Sequence, residues 1–191
     1  MYALKRRFAS DLQLERNTVM LGEHYNQVLN SINGTLVQHS KTEHLTLMQQ
    51  RVEMIEQLHK WVCDLGEFRR SSRGLYTVLE RGLLNHVACF EDWDDPRIVE
   101  LCDRLTNLGI EEILLAISPE LISERWRLRY TRMNVMFSEH EISDLTAETL
   151  RQQERMFMVI KRLPLPYRVL NTDAMDWDAY ATEILGPNEQ R

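Results

Sequence analysis

A short apolar run closed by a proline turn limits this chain more than any other stretch. Ile113-Leu114-Leu115-Ala116-Ile117 is followed at once by Ser118-Pro119-Glu120. A run this short and this apolar reads as a strand buried on both faces, as in a parallel sheet. Ser118 suits a helix N-cap, Pro119 the first helical position, and Glu120 the positive end of the helix dipole. The helix so opened carries Arg125, Arg127, Arg129 and Arg132, of which Arg125, Arg129 and Arg132 share one face. A strand that feeds such a helix sets cations at the carboxyl edge of a sheet, where a polyphosphate can be held.

The rest of the chain supplies further elements of the same kind. Tyr2 to Gln13 has Leu4, Phe8 and Leu12 on one helical face. Thr18 to Leu21 is a short strand ended by Gly22-Glu23, and His24 to Ser40 reads as helix and then loop. Thr42 to Gly66 is a long helix, with Leu45, Met48, Val52, Ile55, Leu58, Val62 and Leu65 in an apolar stripe. Phe68 to Gly74 reads as a loop. Leu75 to Leu79 is a second clear strand and runs into Glu80-Arg81-Gly82. Pro96 to Leu108 is a helix stopped by Gly109. Asp144 to Arg162 is another, stopped by Pro164 and Pro166. Tyr167 to Leu170 is the last strand, and Asp176 to Leu185 the last helix.

Strands alternating with helices imply an α/β fold: a mostly parallel sheet with helices on both faces. In such a sheet ligands sit at the carboxyl ends of the strands. Three of those ends carry charge: Glu23, Glu80-Arg81, and the arginines beyond Ser118-Pro119-Glu120. The chain has 191 residues, enough for one domain, taken as residues 1–186 with a polar tail at 187–191. A net charge of −6 argues against a general binder of nucleic acid polymers. Cys63, Cys89 and Cys102 lack zinc-ligand spacing and fit buried thiols in a reducing compartment, so a cytoplasmic protein is expected. No apolar run approaches the length of a membrane span, and the basic N-terminus lacks the apolar core of a secretory signal.

Taken together these motifs resemble the deoxynucleoside kinase family, P-loop kinases that phosphorylate the 5′-hydroxyl of deoxynucleosides. Leu114 to Arg129, LLAISPELISERWRLR, resembles the family's strand, Pro-Glu turn and arginine-rich lid. Leu79-Glu80-Arg81-Gly82 is similar to its acid–arginine–serine motif, Gly22-Glu23-His24 to its Glu-Pro motif, and the helix around Arg51 to one with an inward arginine. The resemblance implies a three-layer P-loop sandwich, ATP and Mg²⁺ as cofactors, a deoxynucleoside as substrate and a homodimer through the long helices. It implies Glu23 as general base and Arg81 as the group that holds Glu23 and the reacting phosphate. Glu80 would hold the metal and assist substrate binding. Arg51 and His86 would face the nucleoside, His86 standing where many members have an acid that helps choose the base. Arg125, Arg127 and Arg129 would neutralise the charge on the transferred phosphoryl.

The sequence departs from the family most at its start. The loop GxxxxGK[ST], whose amides cradle phosphates, is not among its residues, and with it goes the strand that is normally central. We expect the sequence to be a piece of a longer protein, with Met1 an internal methionine. The competing expectation is a non-catalytic relative that pairs with an active one. A thymidylate-type monophosphate kinase and a purely helical scaffold are further alternatives.

Overall fold

The computed structural model describes residues 2–10, 17–22, 29–32, 35–65 and 75–186. The chain runs α1 (Tyr2–Ser10), β1 (Asn17–Leu21), β2 (Leu29–Ile32), β3 (Thr35–Gln38), α2 (Lys41–Asp64), β4 (Leu75–Leu79), α3 (Leu83–Phe90) and α4 (Pro96–Asn107). It continues through β5 (Glu112–Ala116), a 3-10 turn at Pro119–Leu121, α5 (Ile122–Met133), α6 (Glu139–Ile160), β6 (Tyr167–Asn171) and α7 (Trp177–Leu185). The mixed α/β class is as expected, and the strands exclude a purely helical scaffold. Glu23 and the 68–74 loop lie outside the described residues, as does the 187–191 tail.

The two longest helices begin at capping boxes. Ser40 Oγ accepts from the Glu43 amide at 3.3 Å while Glu43 Oε2 accepts from the Ser40 amide at 2.9 Å. Ser138 and Glu141 repeat the device. This starts α6 before the expected Asp144, because the reciprocal cap satisfies two orphan amides. Gly109, at φ +70°, ends the turn after α4.

The core is mainly helical. Leu45, Met48 and Val52 of α2 pack against Leu84 and Val87 of α3, Ile98, Leu101 and Leu105 of α4, and Val159 and Ile160 at the end of α6. The apolar stripe of α2 is buried as expected at Leu45, Met48, Val52, Ile55 and Val62, whereas Leu58 is half-buried and Leu65 exposed. Helix α3 was not among the expected elements. Gly82, at its N-cap, offers no side chain, and the cap comes from a distant residue: Glu112 Oε1 accepts from the Leu84 amide at 3.4 Å.

Among the described residues, the expected single sheet is instead three separate pairs: β1 with β4, parallel; β2 with β3, antiparallel; β5 with β6, parallel. The β2–β3 hairpin replaces the expected helix and loop. Its strands flank Asn33-Gly34, a dipeptide typical of two-residue hairpin turns.

The two parallel pairs face each other across a cavity of about 470 Å³. Residues 75–82 line one wall and 111–115 the other, with Leu4 of α1, His59 of α2 and Ile184 of α7 around it. In a parallel strand the N–H and C=O of one residue point to the same neighbour, and the next residue points away. The Glu80 amide donates to Leu21 O of β1 at 2.9 Å, so Thr77 and Leu79 turn their backbone groups from β1 toward the cavity. The Glu112 amide donates to Pro166 O at 2.9 Å, so Ile113 and Leu115 turn theirs from β6. Among the described residues, no strand pairs with these edges of β4 and β5, and both border one slot.

Ile98→Ala is expected to lower unfolding free energy by about 3 kcal/mol, since Ile98 has no exposed surface. Val99→Ala, on the exposed side of the same helix, is expected to change it by less than about 0.5 kcal/mol. Urea unfolding measures both.

Candidate functional site

The residues singled out in the sequence fall into two groups, one at each end of β5. At its opening end lies the corner after β4. A Cβ on Gly82 would stand 2.8 Å from Glu112 Oε1, so the Glu80-Arg81-Gly82 corner meets the first residue of β5. The arginines of α5 follow its closing end. Four steps of about 3.3 Å separate the two ends. Among the described residues, the Glu80-Arg81 corner and the arginines of α5 are therefore not gathered at one sheet edge as expected. The reason is physical: β4 and β5 share no backbone ladder, so nothing sets their register.

At the β4 corner, Arg81 has φ +63°, in the left-handed region. For a residue with a side chain this costs about 1–2 kcal/mol, and such strain gathers at functional sites. Glu80 and Arg81 are both exposed. The Cβ position of Gly22 is 3.9 Å from Glu80 Oε2, which sets the end of β1 beside Glu80. Arg51 borders a small pocket with Leu79, Gly82 and Leu83. Its Nη1 is buried and has no hydrogen-bond partner among the described residues. Burial pulls the Arg51 guanidinium below its usual pKa. Arg51 and the β4 corner thus come together.

His86 does not join them. It has no exposed surface, with Nδ1 2.8 Å from His44 Nδ1 and Nε2 3.1 Å from Asp92 Oδ2. The expectation that it faces a nucleoside is corrected: in this structure the imidazole is sealed in the α2–α3 interface.

At the other end of β5, the arginines hold the protein's own oxygens. Arg125 Nη2 donates to the carbonyls of Thr172 and Asp173, the latter at 3.1 Å, and so ties α5 to the turn after β6. Arg127 Nη2 lies 2.6 Å from Glu139 Oε2, at the start of α6. That ion pair holds the Glu139 carboxyl below its usual pKa and lifts the guanidinium above its own. Arg129 is exposed and lies over the Trp126 ring, 5.3 Å from its centroid. Ser118 does not cap α5. Its amide donates to Asp173 Oδ1 at 2.8 Å and its hydroxyl to Oδ2, and these bonds hold the Asp173 carboxyl below the usual range.

These residues fit a bound nucleotide and metal only in part. Arg129 is exposed, and Arg51 keeps a buried donor without a described acceptor. Arg125 and Arg127 already have their acceptors. Glu80 is a single carboxylate, and among the described residues no three His, Cys, Asp or Glu side chains form a group for a metal ion. Also among them, no helix is long and apolar enough to cross a membrane. Burial drives the Cys102 thiol up to about 12, so it is an inert core group. Compared with family models, curated proteins and solved structures, the chain matches none.

Arg125→Ala is expected to lower unfolding free energy by about 2 kcal/mol, because two carbonyls lose a charged donor. Arg129→Ala is expected to cost about 0.5 kcal/mol, the worth of an exposed cation–ring contact. A larger urea-unfolding loss for Arg129 than for Arg125 would reverse these roles.

Proposed function

We propose that this chain is the body of a phosphotransferase domain of the deoxynucleoside kinase kind, which moves the γ-phosphoryl of ATP to the 5′-hydroxyl of a deoxynucleoside. One observation carries the reading: two parallel strand pairs border one slot with edges that no strand among the described residues fills. A parallel sheet with its middle place open is what this fold looks like without the strand that leads into the phosphate-binding loop. Leu4 of α1 also lines the slot. A strand in that middle place would set the β4–β5 register and draw the two groups of charged residues toward one edge.

ATP, when bound with Mg²⁺, supplies the phosphoryl group. The work of this chain's residues is then as follows. Glu23 takes the proton of the sugar hydroxyl. Arg81 orients that carboxylate, and Glu80 is the carboxylate for the metal. Arg51 offers the nucleoside its buried donor, which has no acceptor among the described residues. Arg129 faces the growing negative charge, joined by Arg125 and Arg127 once they leave their present acceptors.

The engagement of Arg125 and Arg127 by protein oxygens favours a second reading, a non-catalytic subunit of the same fold that pairs with an active relative. Nucleotide binding separates the two. The protein isolated from its source is expected to bind ATP and phosphorylate deoxynucleosides under the first reading, and to do neither alone under the second.

In that protein, Glu23→Gln and Arg81→Ala are each expected to lower kcat by about a hundredfold or more, with the circular dichroism spectrum unchanged. Near-normal turnover in either variant would overturn the site.

A further inference from the structure

Two histidines without exposed surface meet where the first turn of α2 packs on α3. The rings of His44 and His86 are within 7° of parallel, with centroids 5.0 Å apart. Their Nδ1 atoms are only 2.8 Å apart. Stacked rings would keep every atom pair beyond about 3.5 Å, so these rings meet edge to edge through one shared hydrogen. On its other side His86 Nε2 is 3.1 Å from Asp92 Oδ2. The same oxygen lies 3.3 Å from Lys41 Nζ, and Lys41 also approaches Asp95 Oδ2 at 3.7 Å. The Phe90 ring shields both imidazoles, its centroid 4.8 Å from that of His86 and 6.3 Å from that of His44.

Counting protons fixes the polarity of this chain. A carboxylate only accepts, so His86 Nε2 carries the hydrogen that points to Asp92. In the neutral ring His86 Nδ1 then accepts, and His44 Nδ1 donates. A proton added to His86 Nδ1 sets N–H against N–H unless His44 changes tautomer. Two added protons leave two buried imidazolium rings facing each other, with no acceptor between them.

We propose that the chain His44–His86–Asp92–Lys41 is a proton-operated latch, which in its neutral form fastens the first turn of α2 to the α3–α4 corner and on protonation releases it. The turn it holds opens the helix that carries Arg51, and follows the β2–β3 hairpin. The inference does not depend on the kinase reading.

The charges around the latch come from every element packed on it. Lys41 and Glu43 stand on α2, with His39 just before it. Asp92, Asp95 and Glu91 stand at the corner, with Arg97 of α4 paired to Asp95 at 2.7 Å. Cys89 of α3 accepts from Gln38 Nε2 at 3.1 Å, and Arg155 of α6 approaches Glu91 at 3.9 Å. Burial drives the His86 ring below its usual pKa, and Lys41 adds to that, while Asp92 and Asp95 oppose it. The unfolded ring titrates near about 6.5. Below that pH the unfolded chain binds protons that the folded chain refuses. The stabilisation is therefore whole above about pH 6.5 and is lost as pH falls toward the lowered value of the folded ring.

The test compares the chain with a double variant, His44→Leu with His86→Leu, which replaces both partners by apolar groups. Urea unfolding is measured at pH 7.5 and 5.5. The unfolding constant of the unaltered chain is expected to rise over this range by about tenfold more than that of the variant, one excluded proton through one pH unit. An equal rise in both would overturn the latch. Should the variant fail to fold, hydrogen exchange on the unaltered chain decides. Corrected for intrinsic rates, the amides of residues 44–48 are expected to exchange more than tenfold faster at pH 5.5, while those of α4 hold. Unchanged protection in that turn would overturn the proposal.

Discussion

The backbone groups of Thr77, Leu79, Ile113 and Leu115 set the terms for the rest of this structure. Buried amides and carbonyls must be paired. β4 spends one edge on β1, and β5 spends one edge on β6. The remaining edges border the same 470 Å³ slot. A pair of strands is marginal alone and gains stability as part of a wider sheet. Here the helices carry that load: α2, α3, α4 and the end of α6 make a core that holds both pairs although no ladder joins them. A polar bridge between the β4 corner and β5 is the Glu112 carboxylate at the Leu84 amide of α3. It caps a helix, and its own burial pushes its pKa up.

That arrangement decides how much was legible in the residues. The strand from Ile113, the turn at Ser118-Pro119 and the stripe of α2 could be read directly, because each rests on local periodicity or a local stop signal. The expected burial of the strand from Ile113 on both faces is corrected, since Leu115 is exposed. The start of α6 at Ser138 and Glu141 and the pairing of β2 with β3 are also written locally, in a capping box and in the dipeptide Asn33-Gly34 between the two strands. Helix α3 was not legible, because its cap is supplied by Glu112 from another element. Nor was the separation of the charged strand ends, since register between β4 and β5 depends on a ladder that these residues do not form.

The site residues divide in the same way. Arg51 and Arg81 have features that only three dimensions reveal: a buried guanidinium nitrogen without a described acceptor, and a backbone in the left-handed region. Four arginines on a helix suggested free cations, yet Arg125 serves as a strap to the β6–α7 turn, and Arg127 as a tie to α6. Spacing told which face they share, not which oxygens would reach them first. His86 looked like a pocket residue by position. Its surroundings, His44 on α2 and Asp92 beyond Phe90, make it part of a sealed hydrogen-bond chain, whose members lie far apart in sequence.

The most direct measurement is amide hydrogen exchange, residue by residue, across β4 and β5 of the protein isolated from its source. If a strand fills the slot, the amides of Thr77, Leu79, Ile113 and Leu115 are as protected as those of Val78 and Leu114, which point to β1 and β6. If they exchange orders of magnitude faster than those neighbours, the slot is an open cavity, and the completed sheet on which the kinase reading rests does not exist.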